Sequence, residues 1–375
     1  MKNINWRLII QIFFVGLTAF LGLSHQWYGI EKVASIDAYC PFGGVESFFT
    51  LITTGKFLQR IYWSSMILLA VYLVGTIFLG RVFCGYICPF GSIQEWIYKI
   101  ARKLHIPQFE LPEKFDKYLR YIKYLVLLII VYYSFYLGDL VFRNYDPYNA
   151  LMHFGNEFTD KTIAYTLLGI VLLLSLFSKN IWCRYFCPLG AFFGITKKFS
   201  FLKLKRDNNT CIKCNACDIV CPANLPVKDL DIVTSADCIS CSQCVGKCPK
   251  SSLSYSIFGK TISRNQHLLL VVLMVILPIF IISNTPYWQT KTATNLVTSD
   301  GKIDVDNIRG SNTLNNLVET TKIPMIEYQK EFGLPENIDG TIKLKDIATK
   351  YGIKNKNGDP LEVEDIREFI INKIK

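Results

Sequence analysis

The sequence predicts a mostly α-helical membrane protein with a cysteine-rich insert and a small polar C-terminal domain. Two features of the 375 residues predict it. Half of the chain is hydrophobic (51%) and its formal net charge is +11, a profile of apolar spans joined by basic loops rather than of a soluble enzyme. Eight of its thirteen cysteines also fall between Cys211 and Cys248. A secreted disulfide scaffold is excluded by this length and by the spacing of those cysteines.

The insert carries two copies of one pattern. Cys211-x2-Cys214-x2-Cys217-x3-Cys221-Pro222 is followed by Cys238-x2-Cys241-x2-Cys244-x3-Cys248-Pro249. This is the bacterial ferredoxin spacing, in which three clustered thiolates hold one [4Fe–4S] cubane and the fourth Cys ligates the other. One cluster is therefore expected on Cys211, Cys214, Cys217 and Cys248, and a second on Cys238, Cys241, Cys244 and Cys221. Two structural zinc knuckles would need only paired C-x2-C units and would leave the x3-C-P endings unexplained. Thiolate clusters need a reducing compartment, which puts this stretch on the cytoplasmic side.

Five apolar runs follow from hydropathy and interfacial aromatics. The first covers residues 8–23 behind Lys2 and Arg7, and no small-x-small cleavage site follows it as in a signal peptide. The others lie near 62–80, 122–141, 162–178 and 267–283, the last with a kink at Pro278. From Lys179 to Arg206 there are seven basic residues and no acid, whereas Ser24 to Arg60 carries three of each sign. By the positive-inside rule the N-terminus is cytoplasmic, as are 81–121 and 179–265. Residues 24–60, 142–161 and the tail face outward. The positive charge is thus a topology signal, and nucleic acid is not an expected partner. The expected domains are a four-helix core (1–204), the ferredoxin insert (205–260), a fifth span (266–284) and an exterior helical domain (285–375). Residues 191–206 alternate apolar and basic residues, as an interfacial segment would.

A second repeat lies within the core. Phe83-Cys84-Gly85-Tyr86-Ile87-Cys88-Pro89-Phe90-Gly91 aligns without a gap on Trp182-Cys183-Arg184-Tyr185-Phe186-Cys187-Pro188-Leu189-Gly190. Tyr39-Cys40-Pro41-Phe42 has a fainter counterpart in Tyr145-Asp146-Pro147-Tyr148. The core is expected to be two copies of one unit about an axis along the membrane normal. Such symmetry brings Cys84, Cys88, Cys183 and Cys187 together at the cytoplasmic mouth. Four thiols there fit a third iron–sulfur cluster, a Zn or Cu(I) site, redox-active dithiols, or packing of Cys as a small hydrophobe.

Several single residues carry weaker signals. Cys40 is a lone outer-side thiol, suited to a redox contact or to packing. Asp139 near the outer end of span three suits a quinol proton or headgroup water, and His25 and His153 suit a quinone head or local hydrogen bonds. The tail has thirteen basic and fourteen acidic residues from Pro286 to Lys375 and no cysteine. Two helical units are expected there, at 311–333 and 342–374, with Leu314, Leu317, Val318 and Ile323 at core spacing, forming a docking domain for an exterior protein.

The combination of Cys84-Gly85-Tyr86-x-Cys88-Pro89-x-Gly91, Cys183-Arg184-x2-Cys187-Pro188-Leu189-Gly190-Ala191 and the tandem ferredoxin motif resembles the NapH/NosR-type membrane polyferredoxins over residues 1–255. The resemblance implies cytoplasmic [4Fe–4S] clusters beside a four-helix core. It also implies electron transfer between soluble redox partner proteins and a quinol pool or exterior redox system. The family's Cys-x3-Cys-Pro pairs map onto Cys84, Cys88, Cys183 and Cys187. The fifth span and the tail depart from it, as does the lack of the exterior flavin-binding region of the NosR type. No Ser/His/Asp set, Walker loop or dinucleotide fingerprint is present, so an electron-carrier subunit is expected rather than a stand-alone enzyme. A membrane metal (cupric) reductase and a redox-sensing regulator are the other functions in view.

Overall fold

The computed structural model describes residues 5–374 apart from 29–32, 35, 55–61, 138–141, 143–144, 153–161, 291–302, 304, 306–307, 309, 311 and 356–357. The chain divides into two compact units, Met1–Thr292 and Ala293–Lys375.

In the first unit, helices Trp6–Tyr28, Lys114–Tyr136 and Arg264–Ser283 are long and apolar enough to cross a bilayer. Helices Trp63–Leu79 and Thr162–Leu174 are apolar but shorter. At 1.5 Å per residue they extend ~26 Å and ~20 Å, against the ~30 Å of a hydrocarbon core. All five apolar runs are therefore helical, and three of them have full spanning length.

Local chemistry sets the helix ends. Gly80 closes Trp63–Leu79 at φ +76°, a left-handed conformation open to glycine, and its N–H bonds Thr76 O. Ser263 starts the last span with a reciprocal capping box to Gln266. That helix widens into a π turn over Val272–Ile276 directly before Pro278, whose missing N–H removes a rung of the ladder.

Two further helices, Pro41–Thr54 and Pro147–Met152, pack beside the apolar ones. The first lies on Trp63–Leu79 so closely that a Cβ on Gly44 would sit 2.8 Å from Ser65 O. Its Phe49 meets Phe192, a residue that follows the second Cys-x3-Cys-Pro, with ring centroids 6.5 Å apart.

The insert folds around an antiparallel sheet of order β2-β1-β3-β4, with β1 Leu202–Arg206, β2 Ile232–Val233, β3 Leu253–Ile257 and β4 Lys260–Ile262. Leu204 pairs with both Val233 and Tyr255. Phe258 and Gly259 both take positive φ in the tight turn between β3 and β4, as a two-residue hairpin requires.

This sheet corrects the reading of 191–206 as one interfacial segment. Helix Pro188–Lys197 ends first, and the apolar–basic alternation then belongs to a strand. Leu202 and Leu204 enter the insert's core with Val233, Leu253 and Tyr255, while Lys203 and Lys205 face out. A period of two reads alike in a strand and in an apolar–basic surface segment; pairing partners beyond residue 230 decide between them.

The C-terminal unit holds helices Leu314–Thr321, Met325–Phe332, Leu344–Tyr351 and Val363–Ile374 around Leu314, Leu317, Leu344, Ile347 and Ile370. It is itself a duplication. Thr313, Leu314, Leu317, Lys322 and Ile323 recur as Lys343, Leu344, Ile347, Gly352 and Ile353, and Thr313 bridges Lys343 antiparallel. Lys322 and Gly352 both end their helices in the left-handed conformation. Of the expected core residues, Leu314, Leu317 and Ile323 are buried and Val318 packs against them.

Candidate metal centres

The insert's two halves repeat in backbone as well as in sequence. Lys213 and Ser240, Asn215 and Ser242, and Asn224 and Ser251 take matching left-handed φ values of 52° and 51°, 64° and 61°, and 49° and 51°. Each pair occupies equivalent places in the two Cys patterns. The last Cys of each half is bonded alike: Leu225 N–H donates to Cys221 Sγ (3.5 Å) and Ser252 N–H to Cys248 Sγ (3.3 Å).

Cys211, Cys214, Cys217 and Cys248 line one pocket together with Arg206, Lys213, Lys228 and Lys250. Cys214 is exposed there, and Arg206 holds the Cys211 thiol below its usual pKa by a hydrogen bond. The other four thiols group separately. Burial, then Cys241, Cys238 and Cys221 push the Cys244 thiol well up; burial, then Cys241 push Cys221 up to about 12. Each half thus places its fourth Cys beside the other half's group.

The Cys-x3-Cys-Pro pairs also converge. Cys88 and Cys187 stand at helix N-caps with Pro at the first position, and each sulfur accepts the N–H three residues on, from Gly91 at 3.5 Å and Gly190 at 3.2 Å. Burial raises Cys183 to about 12 and Cys88 and Cys187 well above the usual thiol range, with neighbouring thiols of both repeats adding to the rise. A Cβ at Gly91 would lie 3.7 Å from Cys183 Sγ and 3.8 Å from Cys88 Sγ, so this glycine keeps the space between the repeats open. Arg81 Nη2 approaches Cys84 Sγ at 3.7 Å and Gln94 Nε2 approaches Cys183 Sγ at 3.6 Å. Every one of the four sulfurs therefore has one hydrogen-bond donor.

A site suited to an anionic sulfur-ligated group has these parts: converging half-buried thiols, a donor to each sulfur, and spare donor capacity. The spare capacity is present, because Arg81 Nε is buried without a hydrogen-bond partner. Among the described residues no three His, Cys, Asp or Glu side chains close tightly enough to hold a single metal ion. A cubane, by contrast, keeps its thiolates apart by its own width. Four converging thiols with a donor to each sulfur are a ligand set that an iron–sulfur cluster would fit.

The second insert group is seated on this core site. A Cβ on Gly85, between Cys84 and Cys88, would lie 2.4 Å from Ile239 O and 3.4 Å from Cys241 Cα. Asp237, just before Cys238, pairs with Lys123, with Arg120 at 2.9 Å and with Arg81 at 3.8 Å. Lys197 Nζ donates to Ser235 O (2.9 Å), and Gln243 Nε2 to Glu95 Oε1 (2.6 Å). Glu95 in turn binds Arg7 of the first span at 2.6 Å.

Cys40 heads the Pro41–Thr54 helix, and its Cys40-Pro41-Phe42-Gly43 repeats Cys88-Pro89-Phe90-Gly91 residue for residue. Burial, then the thiols of Cys40 and Cys88 raise Tyr148, so all three share one neighbourhood. His25 Nδ1 contacts Val33 O at 2.9 Å. Asp139 and His153 lie outside the described residues.

Sequence reasoning passed over Arg81, Gln94 and Asp237. Aligning the two core repeats exposes the first two: Arg81 stands where the second repeat has Asn180, and Gln94 where it has Phe193. A charge or amide that the other copy of a repeat lacks is a signal of local duty.

A family model described as a 4Fe-4S binding domain matches residues 61–107 and 162–207. Both matches fall on the core repeats, each taking in one apolar helix and one Cys-x3-Cys-Pro. YccM of Escherichia coli, named for electron transport, is 28% identical over 271 residues, 68% of this chain and 75% of that protein. The uncharacterised protein MJ0750 of Methanocaldococcus jannaschii is 33% identical over 220 residues, 58% of this chain and 86% of that protein. The chain belongs to the NapH/NosR-type membrane ferredoxins. The ferredoxin-type protein NapH of Haemophilus influenzae is 29% identical over 188 residues, 47% of this chain and 62% of NapH. No solved structure matches the chain. Membership in this family, with the 4Fe-4S domain in two regions and apolar helices of spanning length, makes this membrane ferredoxin an iron–sulfur protein of electron transport.

Proposed function

We propose that this membrane ferredoxin relays electrons between a cytoplasmic redox protein and a membrane quinone or exterior redox system, through three thiol sets. The first is Cys211, Cys214, Cys217 and Cys248; the second is Cys238, Cys241, Cys244 and Cys221; the third is Cys84, Cys88, Cys183 and Cys187. When bound there, iron–sulfur clusters supply one-electron transfer. Five spans with the N-terminus inside put the insert and the third set on the cytoplasmic side and the tail outside. The tail then offers a docking unit for an exterior protein.

The contact of Gly85 with Ile239 and Cys241 carries this reading, because it seats the second set directly on the third. The exposed Cys214 opens the first set to solvent, whereas Cys241 and Cys244 are buried. Arg81, Lys123 and Arg120 fix the insert through Asp237, so the separation between sets is held by buried ion pairs rather than by a flexible linker. The hydrogen bonds from Gly91, Gly190, Gln94 and Arg81 stabilise negative charge on the core sulfurs.

Anaerobic iron and acid-labile sulfide analysis with reduced-state EPR tests it, on the wild type and on a variant with Cys84, Cys88, Cys183 and Cys187 all changed to Ser. The expected result is a loss of about two to four irons with one EPR signal. Equal iron in both proteins would confine the clusters to the insert and remove the third set from the path.

A further inference from the structure

We propose that Arg81 is the counter-charge of the core thiol set: it holds an anionic iron–sulfur centre there and sets that centre's reduction potential. This rests on the third-centre reading above and goes beyond it by naming the residue that makes the site redox-competent.

Three observations carry it. Arg81 is 2% exposed and reaches both repeats, with Nη2 at 3.7 Å from Cys84 Sγ and packed so closely on the second repeat that a Cβ at Gly190 would lie 2.9 Å from it. Its Nη1 donates to Ala236 O at 2.9 Å, which aims the guanidinium plane, yet Nε has no acceptor. A buried N–H left without a partner is costly, the more so on a charged group, so its retention calls for an acceptor at the sulfur site.

The third observation is charge. Arg81, Arg120, Lys123, Arg184 and Lys197 are buried or nearly so around this junction, against the carboxylates of Asp116 and Asp237. Asp237 is shared by Arg81, Arg120 and Lys123, and Asp116 by Arg120 and Arg184. Among the described residues these five cations share two carboxylates, so the junction keeps a positive excess. A thiolate-ligated iron–sulfur centre is an anion, and accepting an electron adds one more negative charge in a place shielded from water. Arg81 is the cation hydrogen-bonded to one of these sulfurs, Cys84 Sγ, so reduction is favoured in proportion to how well Arg81 is placed.

Arg81 is a positioning and tuning residue, and its rival role is a structural clamp that ties the insert to the core through Ala236 and Asp237. Potentiometric EPR titration of the full-length protein in detergent, with iron and sulfide counted per chain, separates the two. The signal to follow is the one absent from the four-Ser variant. In Arg81→Lys, which keeps the charge but not the fork, iron content is expected to hold and that signal alone to become harder to reduce. In Arg81→Gln the reduced-to-oxidised ratio at a fixed potential is expected to fall at least about tenfold, which is 59 mV for one electron. Loss of that one centre's iron in Arg81→Gln, with the insert's signals intact, equally supports the proposal. An unchanged potential in both variants, with full iron, overturns it and leaves Arg81 a clamp. Should Arg81→Gln fail to fold, Arg81→Lys decides by the same titration. If the wild type and the four-Ser variant carry equal iron, the third-centre reading falls and the assignment to Arg81 falls with it.

Discussion

Gly85 faces the carbonyl of Ile239 so closely that a single methyl group at Gly85 would stand 2.4 Å from that oxygen. The obstacle is backbone and cannot swing aside. Gly85→Ala is expected to push the Ile239–Cys241 loop off the core, at a cost of about 1–3 kcal/mol from overpacking. Iron content should stay at the wild-type value while electron exchange between insert and core slows. Stopped-flow reduction of the full-length protein checks this, and an unchanged rate would show that the contact is not on the path.

The crossed assignment of the fourth cysteines makes a sharp forecast. Cys221→Ser should disturb the signal of the Cys238, Cys241 and Cys244 group, and Cys248→Ser the signal of the more exposed Cys211, Cys214 and Cys217 group. Each is read by EPR linewidth and by accessibility of the affected centre to a water-soluble relaxing agent. The opposite pairing of variants with signals would refute it.

Arg7 and Glu95 join the first span to the helix that follows Cys88. Burial works against the ionised Glu95 carboxylate, but Arg7 and Lys99 outweigh it and bring the pKa down from 4.5 to about 2. A carboxyl depressed in the folded state contributes stability above its unfolded value and loses it as pH falls through the folded one. Glu95→Gln is therefore expected to destabilise the protein by about 3–5 kcal/mol at neutral pH, since Arg7 is left as an unpaired buried charge. The gap from wild type should close as pH drops from about 4.5 towards about 2. Thermal unfolding in detergent across that range measures it.

The C-terminal unit has its own core, so Leu317→Ala should cost about 2–5 kcal/mol within that unit. Limited proteolysis should then cut within residues 312–374 first, with the iron count and the EPR signals of the rest unchanged.

How much of this was legible in the sequence varies with the range of the interactions involved. The eight insert cysteines announce their two groups because the ferredoxin pattern is written in short spacings, and the Cys84/Cys88 and Cys183/Cys187 convergence follows from an ungapped internal repeat. Periodicity failed at Leu202–Arg206, where strand and interfacial alternation look alike. Arg81 and Asp237 are hard to find in the sequence for a different reason. A lysine or arginine in a basic loop reads as topology, and only the fold shows Arg81 turned inward onto sulfur, 155 residues from its Ala236 partner. Within the tail, the match of Leu314 and Leu317 with Leu344 and Ile347 was present in the letters, but their shared core became plain through the Thr313–Lys343 bridge.

The paired left-handed residues of the insert carry a consequence for the iron-free protein. Lys213, Asn215, Asn224, Ser240, Ser242 and Ser251 have side chains, and each is held where glycine is at ease, at about 1–3 kcal/mol apiece. Clusters bound as proposed would offset that strain through their iron–thiolate bonds. Removal of iron from the proposed clusters is therefore expected to open the insert to proteolysis before the helical core, which limited proteolysis of the iron-free protein measures.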